Sequence, residues 1–436
     1  MSVKLAASEH RCGVERARSV PFALLIGALT FIPYFIWAHY LLGNPTIFGK
    51  AVFLTAITVV LVTTFVLNIR RVVSALGGTW LLTLWAFFAT VLVLRSLLYN
   101  EGIAQAVSAR FGFLFFVYVC ATLPFVDDAR RRAVLRRVIV WNAVVQASFG
   151  IVHRLYFPYV VTGIAIDDSG QGIYFLDPGL GGYRENGTVL SANTYGAYLV
   201  LGLIFIFARI RTLDLRAIIR LGPIIGLLYW GIALSGSRYA LGSALLLTIV
   251  FLLRSLPAFV SPGALVLALV VALSSDTFSR VQQRNADEGS GSRGAKTALA
   301  LDVVAGNISS VLLGPPNAEI EAARTPDGEP FSDNSYASIL LACGVPLAAF
   351  FFCFTAIVWS SLVRMRGWVA VTAVFVLGQM AVTNAIFWDG WIVYAGATLL
   401  VLHGDAIAGA APRRLCRAQR RRAATGRGEV AATEPS

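Results

Sequence analysis

Three arginines stand on the side of this chain where arginine is least expected. Arg184, Arg238 and Arg293 fall in or beside polar stretches rich in Asp and Glu, whereas most other basic residues crowd the opposite connections. A guanidinium offers several N–H donors in a fixed fork that matches phosphate oxygens. Several such groups at one membrane surface would suit a diphosphate anchored to a lipid.

Arg238 has the sharpest context. It follows Ser235-Gly236-Ser237 in a very short connection and opens an apolar run. Either serine is suited to cap the helix that starts there, and the helix N-terminus adds its own positive end. The alternative is an interfacial arginine reaching for lipid head groups, as expected for Arg95 and Arg154. Arg184 stands in Arg184-Glu185-Asn186-Gly187, with Asn193 just inside the next apolar run. It is either a ligand-binding group or one half of a loop ion pair with Glu185. Arg293 opens a segment that reads as a surface helix to about Val304; it is either a ligand-binding group or part of a helix that simply lies on the lipid surface. Gly314-Pro315-Pro316-Asn317 then breaks the chain direction. Asp333, ahead of Asn334-Ser335-Tyr336, is either a helix cap or a base that takes a proton from a hydroxyl. His39 and His153 read as satisfied histidines near the outer face. Asn186-Gly187-Thr188 and Asn307-Ile308-Ser309 match the glycosylation sequon, a pattern short enough to arise by chance.

The elements that must position these residues are membrane helices. The chain has 436 residues, 57% hydrophobic and 14% charged, too few charges for a soluble chain of this length. Its apolar blocks run about 17–25 residues, the length that crosses a hydrocarbon core as a helix. The expected fold is an all-α polytopic membrane protein with about twelve transmembrane helices and two long outer loops. Residues 1–19 form a cytoplasmic segment, 20–404 the transmembrane domain with loops 156–188 and 276–334, and 405–436 a basic cytoplasmic tail. The formal charge of +13 sits in short connections and in that tail, as the positive-inside rule requires, so nucleic acid is not the partner it implies. Anionic membrane lipid is. None of the five cysteines lies in a long polar loop, which gives no disulfide framework. No phosphate-binding loop or metal-ligand cluster is present in the sequence, so no metal or cofactor is expected.

At this point the residues resemble a family, the bacterial O-antigen ligase and polysaccharide polymerase superfamily. The resembling elements are Arg184, Gly187 and Asn193 through Tyr198; Ser237-Arg238 with Ala240 and Gly242; Arg293 with Gly314; and Asn334-Ser335-Tyr336 with Gly344. They occur in the expected order between Arg184 and Val363. The resemblance implies glycosyl transfer at the periplasmic face of the inner membrane, with both termini cytoplasmic. Its donor would be a glycan linked to undecaprenyl diphosphate. Arg238, Arg293 and Asp333 would be catalytic. Arg184, Asn193, Ser237, Arg280, Asn334 and Tyr336 would bind substrate, Arg280 through an Arg-x10-Gly spacing that ends at Gly291. Where ligases of the family carry a histidine as base, this chain has Asp333, and its large loop has no histidine. That favours a polymerase joining lipid-linked repeat units over a ligase that transfers glycan to lipid A–core. A flippase and a chain-length regulator of the same pathway would be further partners. A transporter or flippase is the competing class. It should place polar or broken segments near the bilayer midplane, whereas the polar residues here gather in the outer loops.

Overall fold

The computed structural model describes residues 94–100, 128–156, 176–177, 182–183, 185, 187, 192–210, 215–255, 291–323, 335–364, 367–382 and 394–406, with scattered positions between 22 and 69. In chain order the elements are α1 (Ala129–Tyr156), β1 (Leu176–Asp177), β2 (Gly182–Tyr183), α2 (Ala192–Arg209), α3 (Leu215–Ser235) and α4 (Arg238–Ser255). There follow α5 (Gly291–Ala305), α6 (Ile308–Leu313), α7 (Asn317–Ala322), α8 (Ser335–Arg364) and α9 (Trp368–Val382). A last helix, α10, covers 394–406. Among the described residues the architecture is helical apart from β1 and β2, which pair antiparallel as Leu176 with Tyr183 and Asp177 with Gly182. The sequence reads the stretch from 156 to 188 as plain loop. The hairpin folds part of it back, and α1 runs on to Tyr156.

Among the described residues three helices are long and apolar enough to cross a membrane: Ala129–Leu155, Ala192–Arg209 and Arg238–Ser255. Helix α1 shows why this is a membrane fold. Leu135, Ile139, Ala143 and Ala147 are buried at helical spacing. On its other side Trp141, Val145, Val152 and Leu155 are exposed. A helix apolar on both its buried and its exposed face suits a lipid surround.

Helix α2 is the centre of the bundle. Its side chains are buried from Thr194 to Phe207, and α1, α3, α4 and α9 all pack against it. Small residues let the backbones approach, as is usual between membrane helices. A Cβ on Gly202 would stand 2.6 Å from Cβ of Ala143, and one on Gly231 would stand 2.6 Å from Cδ1 of Leu199.

At one end of the bundle Asp128 caps α1, its carboxylate accepting the Arg130 N–H at 2.8 Å. Arg132 and Arg136, in the next turns, both bond the carboxylate of Asp405 at the end of α10, Arg132 at 3.0 Å. The start of α1 and the end of α10 therefore share one end. The site lies at the other.

Candidate functional site

Helix α3 ends at Ser235 and α4 begins at Arg238, so the reversal takes two residues. Gly236 makes it, with φ of 58°, a conformation glycine adopts without steric cost. Ser235 donates its hydroxyl to the Ile232 carbonyl at 2.6 Å and accepts the Ser237 N–H at 3.1 Å. Ser237 is the cap, its Oγ accepting the Ala240 N–H at 3.4 Å. Arg238 is thus the first helical residue, half-buried, and no acidic residue lies in the first turn of α4. A cation there opposes the helix dipole, an arrangement that an incoming anion would relieve.

The start of α2 packs on this turn. A Cβ on Gly196 would lie 2.7 Å from Cβ of Ala240, 2.8 Å from Ser235 Oγ and 3.3 Å from Ser237 Cβ. Asn193 precedes Gly196 by three residues, which puts both on one face of α2. The sequence elements around Asn193 and Ser237 are therefore in direct contact.

Beside them lies a buried polar knot. Glu185 is fully buried, and its Oε2 stands 2.9 Å from Nδ1 of His153, itself buried in the last turn of α1. Its Oε1 accepts the Gly187 N–H at 2.9 Å, and its own N–H donates to the Leu234 carbonyl at 3.0 Å. Gly187 has φ of 55° and no room for a side chain: a Cβ would meet the Tyr195 ring at 2.6 Å and Gln146 Oε1 at 2.7 Å. The loop that leads into α2 is thus pinned to α1, α2 and α3 within three residues. This knot is what sequence reasoning missed. An ion pair with its neighbour Arg184 is one of two readings the sequence leaves open for Glu185, and His153 reads as an interfacial histidine; the two face each other inside the protein. The available signal was that both border the same loop.

The third element joins through α9. Tyr239, next to Arg238, donates its hydroxyl to the Phe375 carbonyl at 2.6 Å. Tyr336, in the first turn of α8, donates to the Leu377 carbonyl at 3.1 Å. Two carbonyls of one short stretch therefore anchor the starts of α4 and α8 side by side.

Two glycines from separate elements also meet. Gly344, with φ of 71°, breaks α8, and a Cβ there would lie 2.7 Å from the Gly314 nitrogen and from the Leu312 carbonyl oxygen. Gly314 itself has φ of 81° and ends α6. The expected break at 314–317 is where α6 gives way to α7. Arg293 is in the first turn of α5, a helix through Ala305, with its side chain outside the described residues. Ala300 and Val304 of α5 bury against Leu341 of α8, so protein covers part of this helix. Asn307 serves α6 as its cap, accepting the Ser310 N–H at 2.7 Å.

Arg95 departs from expectation. It does not reach for head groups: it is 1% exposed, donates to the Pro315 carbonyl and stacks over the Tyr99 ring at 5.3 Å. Its guanidinium is enclosed by protein groups.

The structure therefore brings together Asn193, Ser237, Arg238 and Tyr336 at one end of the bundle. Arg184, Arg280, Asp333, Asn334 and His39 lie outside the described residues. Among the described residues no cluster of three or more His, Cys, Asp or Glu side chains is placed to hold a metal. Compared with known proteins, the chain matches no family model and no curated sequence.

Proposed function

We propose that this protein is a polysaccharide polymerase of the bacterial inner membrane. It joins undecaprenyl-diphosphate-linked repeat units, of O-antigen or exopolysaccharide, by glycosyl transfer at the periplasmic face. One observation carries the reading: the packing of Gly196 into the Ser235–Arg238 turn, which sets Asn193 and a half-buried Arg238 beside a helix N-terminus. That is a place for an anion at the end of the bundle opposite the Asp405 ion pairs.

In this reading the diphosphate of the donor binds Arg238 with Arg184 and Arg293. Asp333 takes the proton from the attacking sugar hydroxyl, whose oxygen forms the new bond to the anomeric carbon. The old bond from that carbon to the diphosphate breaks, and its electrons leave with the phosphate. The arginines stabilise that developing charge, which is electrostatic catalysis. Ser237, Asn193, Asn334, Tyr336 and Arg280 orient the two substrates.

The fold that goes with this has about twelve spans. Both termini are cytoplasmic, and 156–188 and 276–334 are periplasmic. The ion pairs of Arg132 and Arg136 with Asp405 support a shared side for the start of α1 and the end of α10. Reporter fusions at Gly289 and Thr425 should give opposite signals.

A transporter draws on a different observation. Asn142, midway along α1, donates to the Tyr394 hydroxyl and to the Leu29 carbonyl, and accepts from Tyr34 at 3.3 Å. This is a polar cluster near mid-bundle. Its donors end on a backbone carbonyl within the protein, the pattern of packing contacts between membrane helices.

Deleting the gene separates the readings. Loss of a polymerase leaves single repeats attached to lipid or to lipid A–core. Loss of a ligase leaves full-length polymer on the lipid carrier. Loss of a transporter leaves lipid-linked repeats on the cytoplasmic leaflet.

A further inference from the structure

Helices α5, α6 and α7 rest together on one stretch of α8. Ala300 and Val304 of α5 bury against Leu341, and Ile320 of α7 and Ala323 after it pack on the same cluster with Ala337 and Leu340. Three residues past Leu341, Gly344 meets the backbone of Leu312 and Gly314. The stretch begins beside Tyr336, whose hydroxyl bonds the Leu377 carbonyl, two residues from the Phe375 carbonyl that holds Tyr239. The three helices therefore sit at the end of the bundle that carries Arg238.

Contacts strung along one stretch of one helix resist rotation about that helix least. Arg95 supplies a contact from a different part of the chain. Its guanidinium donates to the Pro315 carbonyl, in the break between α6 and α7. Gly314 and Pro315 are both buried, and so is Arg95, whose guanidinium lies over the Tyr99 ring. Enclosing a charged group costs free energy that its bonds must offset. A smaller apolar side chain would fill the same space without that cost, so the bond to Pro315 is what an arginine adds here.

We propose that Arg95 is a positioning residue. It fixes the rotation of α5, α6 and α7 on α8, and with it the place of Arg293 in the first turn of α5. The importance of that place rests on the polymerase reading; the hold on the three helices does not. A carbonyl needs one donor and no fork, so lysine should serve at position 95. This is the reverse of what a diphosphate demands of Arg238.

The test measures distances between α5 and the bundle in the full-length protein. Spin labels go on Leu301→Cys of α5 and Val374→Cys of α9, both at exposed positions, with the five native cysteines replaced by alanine. Double electron–electron resonance in nanodiscs then gives the distance distribution. Polymer yield per unit of inserted protein is measured in parallel with the native cysteines retained. Arg95→Met should broaden or shift the distribution and lower the yield on the order of a hundred-fold, the cost of about 1 Å of misplacement. Arg95→Lys should restore both. An unchanged distribution in Arg95→Met would overturn the proposal, and so would wild-type yield from a variant whose distribution has broadened. Failure of lysine to rescue would also overturn it, pointing to a contact that needs the guanidinium. If the wild type makes no polymer, the polymerase reading fails while the distances still decide whether Arg95 fixes the three helices. Should Arg95→Met not insert, Arg95→Gln, whose shorter side chain ends short of the same carbonyl, takes its place with the same expected outcomes.

Discussion

Nδ1 of His153 stands 2.9 Å from Oε2 of Glu185, and both side chains are buried. One comes from the end of α1, the other from the loop that leads into α2. With the carboxylate ionised, Nδ1–H donates to it. The second oxygen takes the Gly187 N–H, so one carboxylate ties Gly187 to the end of α1.

Removing one member of this pair should be worse than removing both. Glu185→Leu leaves a buried histidine facing apolar carbon. Loss of a single partner from a buried pair costs about 3–5 kcal/mol. The double variant His153→Leu with Glu185→Leu should recover part of that. The measurement is thermal unfolding in detergent for both single variants and the double one. Strict additivity would mean that the two groups are not coupled.

Arg238 should respond to geometry as well as to charge. Lysine cannot reproduce the guanidinium fork. Arg238→Lys is expected to insert normally yet lose about ten- to a hundred-fold in polymer yield, the scale of a lost charge-assisted contact of about 1.5–3 kcal/mol. Arg238→Ala should be no better. Yield per unit of inserted protein is the readout. Wild-type yield from the lysine variant would leave only a charge requirement.

Asp333 is tested by separating capping from proton transfer. Serine caps helices nearly as well as aspartate but is no base. Asp333→Ala and Asp333→Ser should both lose most activity. An active serine variant would leave Asp333 with a capping role alone.

Gly344→Ala should damage folding rather than chemistry. The new methyl would face the Leu312 carbonyl at 2.7 Å from a backbone with φ of 71°. Neither backbone can give way as a flexible side chain would. Overpacking of this kind costs about 1–3 kcal/mol, with the strained φ added to it. Protease resistance of the 291–323 segment should fall, while Gly242→Ala, which meets nothing within 4 Å, should leave it unchanged.

The sequence by itself was enough for the helical membrane class and for several helix ends. Apolar run length and charge placement are local properties, so α2 could be anticipated near its observed bounds and the turn before Arg238 located. Capping is equally local, and Ser237 does cap α4. The tertiary structure alone decided where the buried polar groups go. Arg95 looks like any arginine near a span end, yet it closes on Pro315, 220 positions away. Glu185 has an arginine as its chain neighbour and takes a histidine from another helix. A buried charge chooses its partner by which groups the packing leaves within reach, and adjacency in sequence says little about that. The same holds for Gly314 and Gly344. Gly314 is readable as a break and Gly344 only as a motif residue inside a span, and their contact exists only because α6 docks on α8 with no side chain between them.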